Sequence, residues 1–282
     1  WGIVITDALE TMRRAVEPYE LIEGSTQDLF KRFVKETARV LPFSKRRALH
    51  LLEEGVMSFN SLPLKPDREP KPRIGIVGEI LLNYHPGSNR YIEKYLMKHG
   101  MEVVIPPMLG FFRRSYVIEK EKGKRELIPR PFLSLILAGL TDSILALIEK
   151  KVSDILAGFR HQYIYSGIER LVENVKNYID VSYQAGEGWL MPAEIIEMIH
   201  YGVESFIIVQ PFGCLPNHIT GRGMMKSIKK RYPQVHILSL DYDPDTSLGN
   251  IENRLQMLIL SSRERHLERR KDSVDKMEMI RG

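Results

Sequence analysis

Four short runs of apolar, largely β-branched residues, each followed by polar loop chemistry and then by a helical pattern, constrain this chain more than any other feature. The first is Arg73-Ile74-Gly75-Ile76-Val77-Gly78, and Glu102-Val103-Val104-Ile105-Pro106 comes next, after a helical stretch over Asn89–Lys98. Ser205-Phe206-Ile207-Ile208-Val209-Gln210 then precedes a long polar loop and a helix over Gly223–Lys230. His236-Ile237-Leu238-Ser239-Leu240 precedes the C-terminal helix. Strands alternating with helices can pair only through crossovers, so the expected fold is α/β: a flavodoxin-like parallel sheet of about four strands with helices on both faces.

The flanks of that pattern read differently. Residues 1–62 predict helices over Ala8–Tyr19, Thr26–Val40 and Lys45–Asn60, with apolar residues at three- and four-residue spacing and no strand. The segment Leu62–Pro72 carries Pro63, Pro66, Pro70 and Pro72, which hold it extended and mark a boundary. Between the second and third strands lies an insertion, 111–191, with a basic turn at Lys120–Arg125 and helices over Phe132–Tyr165 and Ile168–Ile179, expected to form a helical cap. The domain reading is therefore a helical N-terminal segment, 1–65, as the end of a preceding domain, an α/β domain over 66–260 holding the helical insertion, and a charged C-terminal helix or tail over 261–282. The opening Trp-Gly-Ile-Val-Ile-Thr-Asp, without an initiator Met or a secretory pattern, reads as the cut edge of a longer protein.

Composition narrows the function classes. A chain of 282 residues with 43% hydrophobic and 27% charged residues has the balance of a globular protein. Its 41 Lys and Arg are interleaved with 36 Asp and Glu, with no basic stripe and no reading motif, so nucleic acid is not expected as a partner. Cys214 is the only cysteine, which excludes an intramolecular disulfide and any multi-thiolate zinc site within the chain, and favours a reducing, cytoplasmic setting. Phe132–Ile148 is the most apolar stretch, but it is short of the ~20 residues of a membrane span and carries Thr141 and Asp142, so it reads as a buried helix and no membrane partner is expected.

Open parallel sheets bind ligands beyond the carboxyl ends of their strands. That rule selects Glu79, Asn83, Tyr84, His85 and Pro86 after the first strand, Pro211 to His218 after the third, and Asp241, Asp243 and Asp245 after the fourth. The third-strand loop is the most informative. Pro211 and Pro216 stiffen it, Gly213 admits a backbone geometry that a side chain would block, and the lone thiol Cys214 sits beside Phe212, Asn217 and His218. A thiolate near a helix N-terminus becomes a better ligand or nucleophile. His218, four residues on, raises a thiol–imidazole reading, while His85 and His218 also suit turn or capping roles. The three aspartates lack the Gly and distal Glu of a calcium loop and are better explained as turn and capping residues. Gly221-Arg222-Gly223 lacks the third glycine of a dinucleotide fingerprint, and no Walker sequence is present. Gly186 and Gly188 predict a turn into the helix near Pro192, with Glu187 a further pocket candidate.

Taken together, Gly75-Ile-Val-Gly-Glu79 with Asn83-Tyr-His-Pro86, Gly186-Glu-Gly-Trp-Leu190, Gln210-Pro-Phe-Gly-Cys-Leu-Pro-Asn-His218 and Asp241-Tyr-Asp-Pro244 resemble the 2-hydroxyacyl-CoA dehydratase superfamily. The branch is that of the acyl-CoA dehydratase activase-related proteins and double-cubane-cluster reductases, and Val16 to Glu20 fits it too. The resemblance implies a protein of anaerobic metabolism with an iron–sulfur cluster, [4Fe–4S] in type, between flavodoxin-like halves. It also implies an ATP-hydrolysing activator protein as electron donor and an acyl-CoA or other small substrate. Cys214 matches one cluster ligand, and Glu79, Tyr84, His85, Glu187, Phe212, Gly213, Pro216, Asn217 and His218 would shape or line the pocket. As an enzyme the assembly would be a dehydratase-like lyase or a low-potential reductase. One thiolate cannot hold a cubane, so the other cysteines are expected upstream of Trp1 or on another subunit, and this chain alone is expected to bind no stable cluster and to be inactive. Association as a homo- or heterodimer is left open. Two other readings compete: a non-catalytic binding or regulatory domain of a large activase-like protein, and a thiol enzyme using Cys214 and His218.

Overall fold

The computed structural model of the chain describes residues 1–66, 69–125, 131–161, 166–243, 245 and 248–281, the side chains of 131, 132, 248 and 272–281 excepted. Three helices open it: α1 (Gly2–Val16), α2 (Ser25–Val40) and α3 (Lys45–Asn60). The first stops earlier than its apolar spacing suggests, because Pro18 cannot continue the hydrogen-bond ladder, and Glu17–Tyr19 form a short 3-10 turn instead. The described part of the proline-rich linker holds no helix, as its composition predicts, and is tied back by a bridge between Glu20 and Leu64 and by Lys65 N–H donating to Tyr19 O at 2.9 Å.

The four strands are β1 (Arg73–Gly78), β2 (Glu102–Val104), β3 (Ser205–Pro211) and β4 (His236–Tyr242), in the spatial order β2-β1-β3-β4 and parallel throughout. Period-two alternation sorts their side chains. Ile74, Ile76, Ile207, Val209 and Leu240 face α5 (Ile92–Lys98) and α12 (Leu248–Arg281), whereas Val77, Phe206, Ile208 and Ile237 face α9 (Leu190–His200) and α11 (Gly223–Arg231). This is the expected sheet with a helical layer on each face. Gly75 fits the pattern sterically, since a Cβ there would lie 2.7 Å from the Phe206 ring.

The insertion contributes α6 (Leu109–Lys124), α7 (Pro131–Leu156) and α8 (Ile168–Val175). Three of its expectations fail. Lys120–Arg125 is not a turn but the end of α6, where Lys122 and Lys124 complement the helix dipole, with Arg125 just beyond. The helix over 132–165 ends at Leu156, with residues 162–165 outside the described set. Nor is its apolar stretch buried. The far end of α7 packs Ile148, Val152 and Leu156 against α1 and α3, but Leu133, Leu137, Leu140, Ile144 and Leu147 are exposed, Leu140 by 60%. α6 and α8 pack instead on α9 around Trp189. Among the described residues no helix is long and apolar enough to cross a membrane.

Candidate functional site

In a sheet ordered β2-β1-β3-β4, successive connections leave β1 and β3 in opposite directions, so the crevice lies beyond the carboxyl ends of these two neighbours. The backbones there are in close contact. Glu79 N–H donates to Val209 O at 2.9 Å, and a Cβ on Gly78 would stand 1.9 Å from that same oxygen, which explains a glycine at the last position of β1.

Three loops converge on this point. Glu79 caps the one-turn helix α4 (Ile80–Tyr84), its Oε2 accepting from Leu82 N–H at 3.0 Å. Glu187, which is buried, accepts from Ile80 N–H at 3.0 Å through Oε1. Asn217, fully buried, completes the knot: in the amide orientation that satisfies its neighbours it donates to Glu187 Oε2 at 2.6 Å and accepts from Glu79 N–H at 3.2 Å. Gly186 and Gly188 make this approach feasible, with φ of +56° and +59°. A Cβ at Gly186 would lie 2.6 Å from Pro216 Cβ, and one at Gly188 would lie 2.3 Å from Tyr183 O. Of the candidates named from the sequence, Glu79, Glu187, Pro216 and Asn217 are thus brought together. Burial holds the Glu187 carboxyl above the usual carboxylate range, against the pull of nearby amides.

The thiol loop stands on this knot. Gly213 has φ +72° and nothing near a Cβ position, so its role is conformational. Cys214 is half-buried, its N–H donating to Pro211 O at 3.2 Å and its carbonyl accepting from His218 N–H at 3.0 Å. Phe212 and Leu215 on either side are 72% and 67% exposed. The short helix α10 (Leu215–Asn217) then runs into a π-turn, His218–Arg222, before α11. Such π-turns occur often at functional positions.

Other candidates lie outside the knot. His85 is exposed, and its Nδ1 accepts from Ser88 N–H at 3.0 Å, which makes it a turn residue. Tyr84 braces the rim by donating to Pro106 O at 3.0 Å, and its phenol is pushed up by burial, with Glu194 and Asp7 adding to the effect. No hydrogen bond joins the Cys214 thiol to the His218 imidazole, whose link is through the backbone alone. Asp243 Oδ1 accepts from Asp245 N–H at 2.8 Å, a turn role as expected, whereas Asp241 lies within β4 and is bound by Gln210 and Arg222, so it is not a turn or capping residue.

Several residues at the rim have no signal in the local sequence. Gln210 is fully buried and donates to Asp241 Oδ1 at 2.6 Å, leaving its Oε1 without a partner, while Arg222 binds Ser239 Oγ at 2.9 Å and pairs with Asp241. Glu194 on α9 is buried, with its carboxyl raised well above the ordinary range by burial and by Glu187. Arg114 on α6 lies close enough to Glu187 and Glu194 to interact with both, and its Nε has no hydrogen-bond partner.

A cubane cluster needs a thiolate for each iron. The chain has one cysteine, and among the described residues no group of three or more His, Cys, Asp and Glu could hold a metal ion. Its own residues therefore do not complete such a site. No family model, no curated protein and no solved structure matches the chain.

Proposed function

We propose that the crevice between β1 and β3 is the working surface of a domain in a low-potential electron-transfer assembly related to the 2-hydroxyacyl-CoA dehydratases. In this reading Cys214 supplies one thiolate to an iron–sulfur cluster whose other ligands come from outside this chain. An ATP-dependent activator protein delivers the electron, and an acyl-CoA or another small molecule is the substrate. The observation that carries the reading is the presentation of the thiol. It stands half-buried at the switch point on a bend set by Gly213, and the loop behind it is fixed by the Asn217–Glu187–Glu79 knot. Rigid backbone around a thiolate limits the reorganisation that accompanies electron transfer and offers N–H donors to sulfur. The chain's residues present and orient a donor; the redox chemistry belongs to the cluster.

Anaerobic iron and sulfide analysis of the complete assembly, with and without Cys214→Ala, tests this. The variant is expected to lose iron and sulfide and the associated visible absorption. An unchanged metal content removes Cys214 from the ligand set.

A second reading, a non-catalytic docking or regulatory domain, is favoured by the exposure of Phe212, Leu215 and Ile219 around the thiol. Under it the complete assembly purified without oxygen is colourless, and Phe212→Ser weakens partner binding while Cys214→Ala does not.

A further inference from the structure

At the opposite, N-terminal edge of the sheet, two adjoining recesses of about 850 and 870 Å³ run between the linker, the strand starts and α12, sharing Tyr19, Lys71, His266 and Arg270. Among the described residues, eight Lys and Arg side chains line them against three carboxylates, Glu69, Glu102 and Glu204. That surplus of five equals the net charge of the entire chain, +5, so the rest of the molecule is balanced and the excess is gathered here. Interleaving along the sequence conceals it, because the cations come from three separate stretches, 65–73, 160 and 263–270.

Internal pairing accounts for only part of this charge. Arg270 forms a two-pronged pair with Glu69 at 2.6 and 2.9 Å, and Arg269 pairs with Glu204. Glu102 is engaged by the Tyr19 hydroxyl at 2.8 Å. Arg265 donates to Gln234 O at 2.9 Å and Ser261 O at 3.1 Å, neutral acceptors that fix the guanidinium without cancelling it. Among the described residues, Lys71 and Arg160 have no carboxylate within ion-pair reach. Lys71 lies 5.9 Å over the Tyr19 ring, and its ammonium is held below its ordinary range by burial and by Lys65 and Arg263. Mutual repulsion in a partly shielded recess is what a bound polyanion relieves.

We propose that this groove binds a small oligophosphate, with Lys71, Arg160 and Arg265 as its principal cations. The recess volume suits a small ligand rather than a single ion, and planar guanidiniums beside an ammonium match adjacent phosphate groups. The proposal is independent of the thiol rim, which lies at the other end of the strands.

Isothermal titration of the chain with sodium tripolyphosphate, ATP and sulfate at matched ionic strength tests it. Tripolyphosphate is expected to bind at one site at least tenfold more tightly than sulfate and to weaken steeply with added salt. If ATP binds like tripolyphosphate the phosphates alone are read, and if it binds more tightly the nucleoside is read as well; both support the site. Arg160→Ala and Lys71→Ala are each expected to reduce affinity about tenfold, the usual consequence of losing a charged hydrogen-bond partner. Lys35→Ala, on the exposed face of α2, is expected to change nothing. Arg160 is exposed and its side chain has no partner among the described residues, so this variant retains the fold even where Lys71→Ala does not. Equal binding of sulfate and tripolyphosphate overturns the proposal, as does wild-type affinity in the Arg160→Ala protein. So does tighter binding of a single-stranded oligonucleotide with the same dependence on Lys71 and Arg160, which would make the groove a nucleic-acid surface.

Discussion

Asp7 offers a sharp test of how the helical N-terminus is joined to the α/β unit. It lies on α1 against the start of α6, where burial lifts its carboxyl from 3.8 to about 7, opposed by Arg14 and by the amides of Leu109 and Met108. Its Oδ2 has no hydrogen-bond partner. The unfolded chain releases this proton near 3.8, so the folded state holds it more tightly. The corresponding stability is fully present below the unfolded value and is lost as pH rises through about 7. The displacement is worth about 4 kcal/mol in total, of which about 2.7 kcal/mol persists at pH 5 and almost none at pH 8. Asp7→Asn keeps the shape and cannot ionise. Urea unfolding of both proteins at pH 5 and pH 8 is therefore expected to show the native chain losing about 2–3 kcal/mol more than the variant between the two conditions. Subtraction removes Glu149, Glu187 and Glu194, whose raised carboxyls are common to both proteins. A difference below about 0.5 kcal/mol would mean that water or a rearrangement solvates Asp7, and the buried junction would be refuted.

Other expectations follow from the same geometry. Gly78→Ala places a methyl 1.9 Å from Val209 O and forces β1 and β3 apart, which should lower stability by about 3 kcal/mol or more in urea titration. Asn217→Ala leaves Glu187 Oε2 without its donor and should cost about 1–3 kcal/mol, with faster hydrogen exchange at the Glu79 and Ile80 amides as the local signature. Leu156→Ala, at a fully buried site, should cost about 2–5 kcal/mol, whereas Leu140→Gln on the exposed face of the same helix should stay within about 0.5 kcal/mol.

The strands were legible because a parallel sheet covered on both faces needs short apolar runs, and Ile74, Ile76, Val77, Phe206 and Ile208 supply them in alternation. Gly186 and Gly188 were legible as a turn, and Pro216 with Asn217 as a stiff loop, because backbone geometry leaves its mark on the residues that adopt it. That these two turns interlock was not legible, since the contact spans about thirty residues of sequence and depends on how α9 packs against the sheet. Glu194 and Arg114 were silent for the same reason: each reads as an ordinary charged helix residue until α6 and α9 are placed side by side. The apolar stretch of α7 misled, because hydropathy states what a helix would gain from burial and not whether a neighbour is present along its whole length. Lys120–Arg125 misled through charge density, which marks a loop in the interior of a chain but also suits the last turn of a helix.

Basic residues at the N-terminal edge of a parallel sheet have an ordinary explanation that the groove must exceed. Each crossover helix ends there, and cations gather near helix C-termini to meet the partial negative charge and the unbonded carbonyls. Two of the groove's guanidiniums do this: Arg263 donates to His99 O beyond α5, and Arg73 donates to Tyr201 O beyond α9 at 2.7 Å. The basic last turns of α5 and α11, with Lys98, Lys229, Lys230 and Arg231, follow the same rule and do not line the recesses. Lys71 and Arg160 obey no such rule. Lys71 lies in the linker before β1, and Arg160 lies four residues past the end of α7, with its side chain bonded to no carbonyl among the described residues. Arg265, in the interior of α12, meets the rule in part, since it donates to Gln234 O beyond α11 at 2.9 Å. A helix dipole fades within a single turn, so it cannot account for the charges of Lys71 and Arg160 facing one cavity. Among the described residues no carboxylate pairs with either side chain, which is why their substitution, and not that of Arg73 or Arg263, decides whether the groove is a binding site.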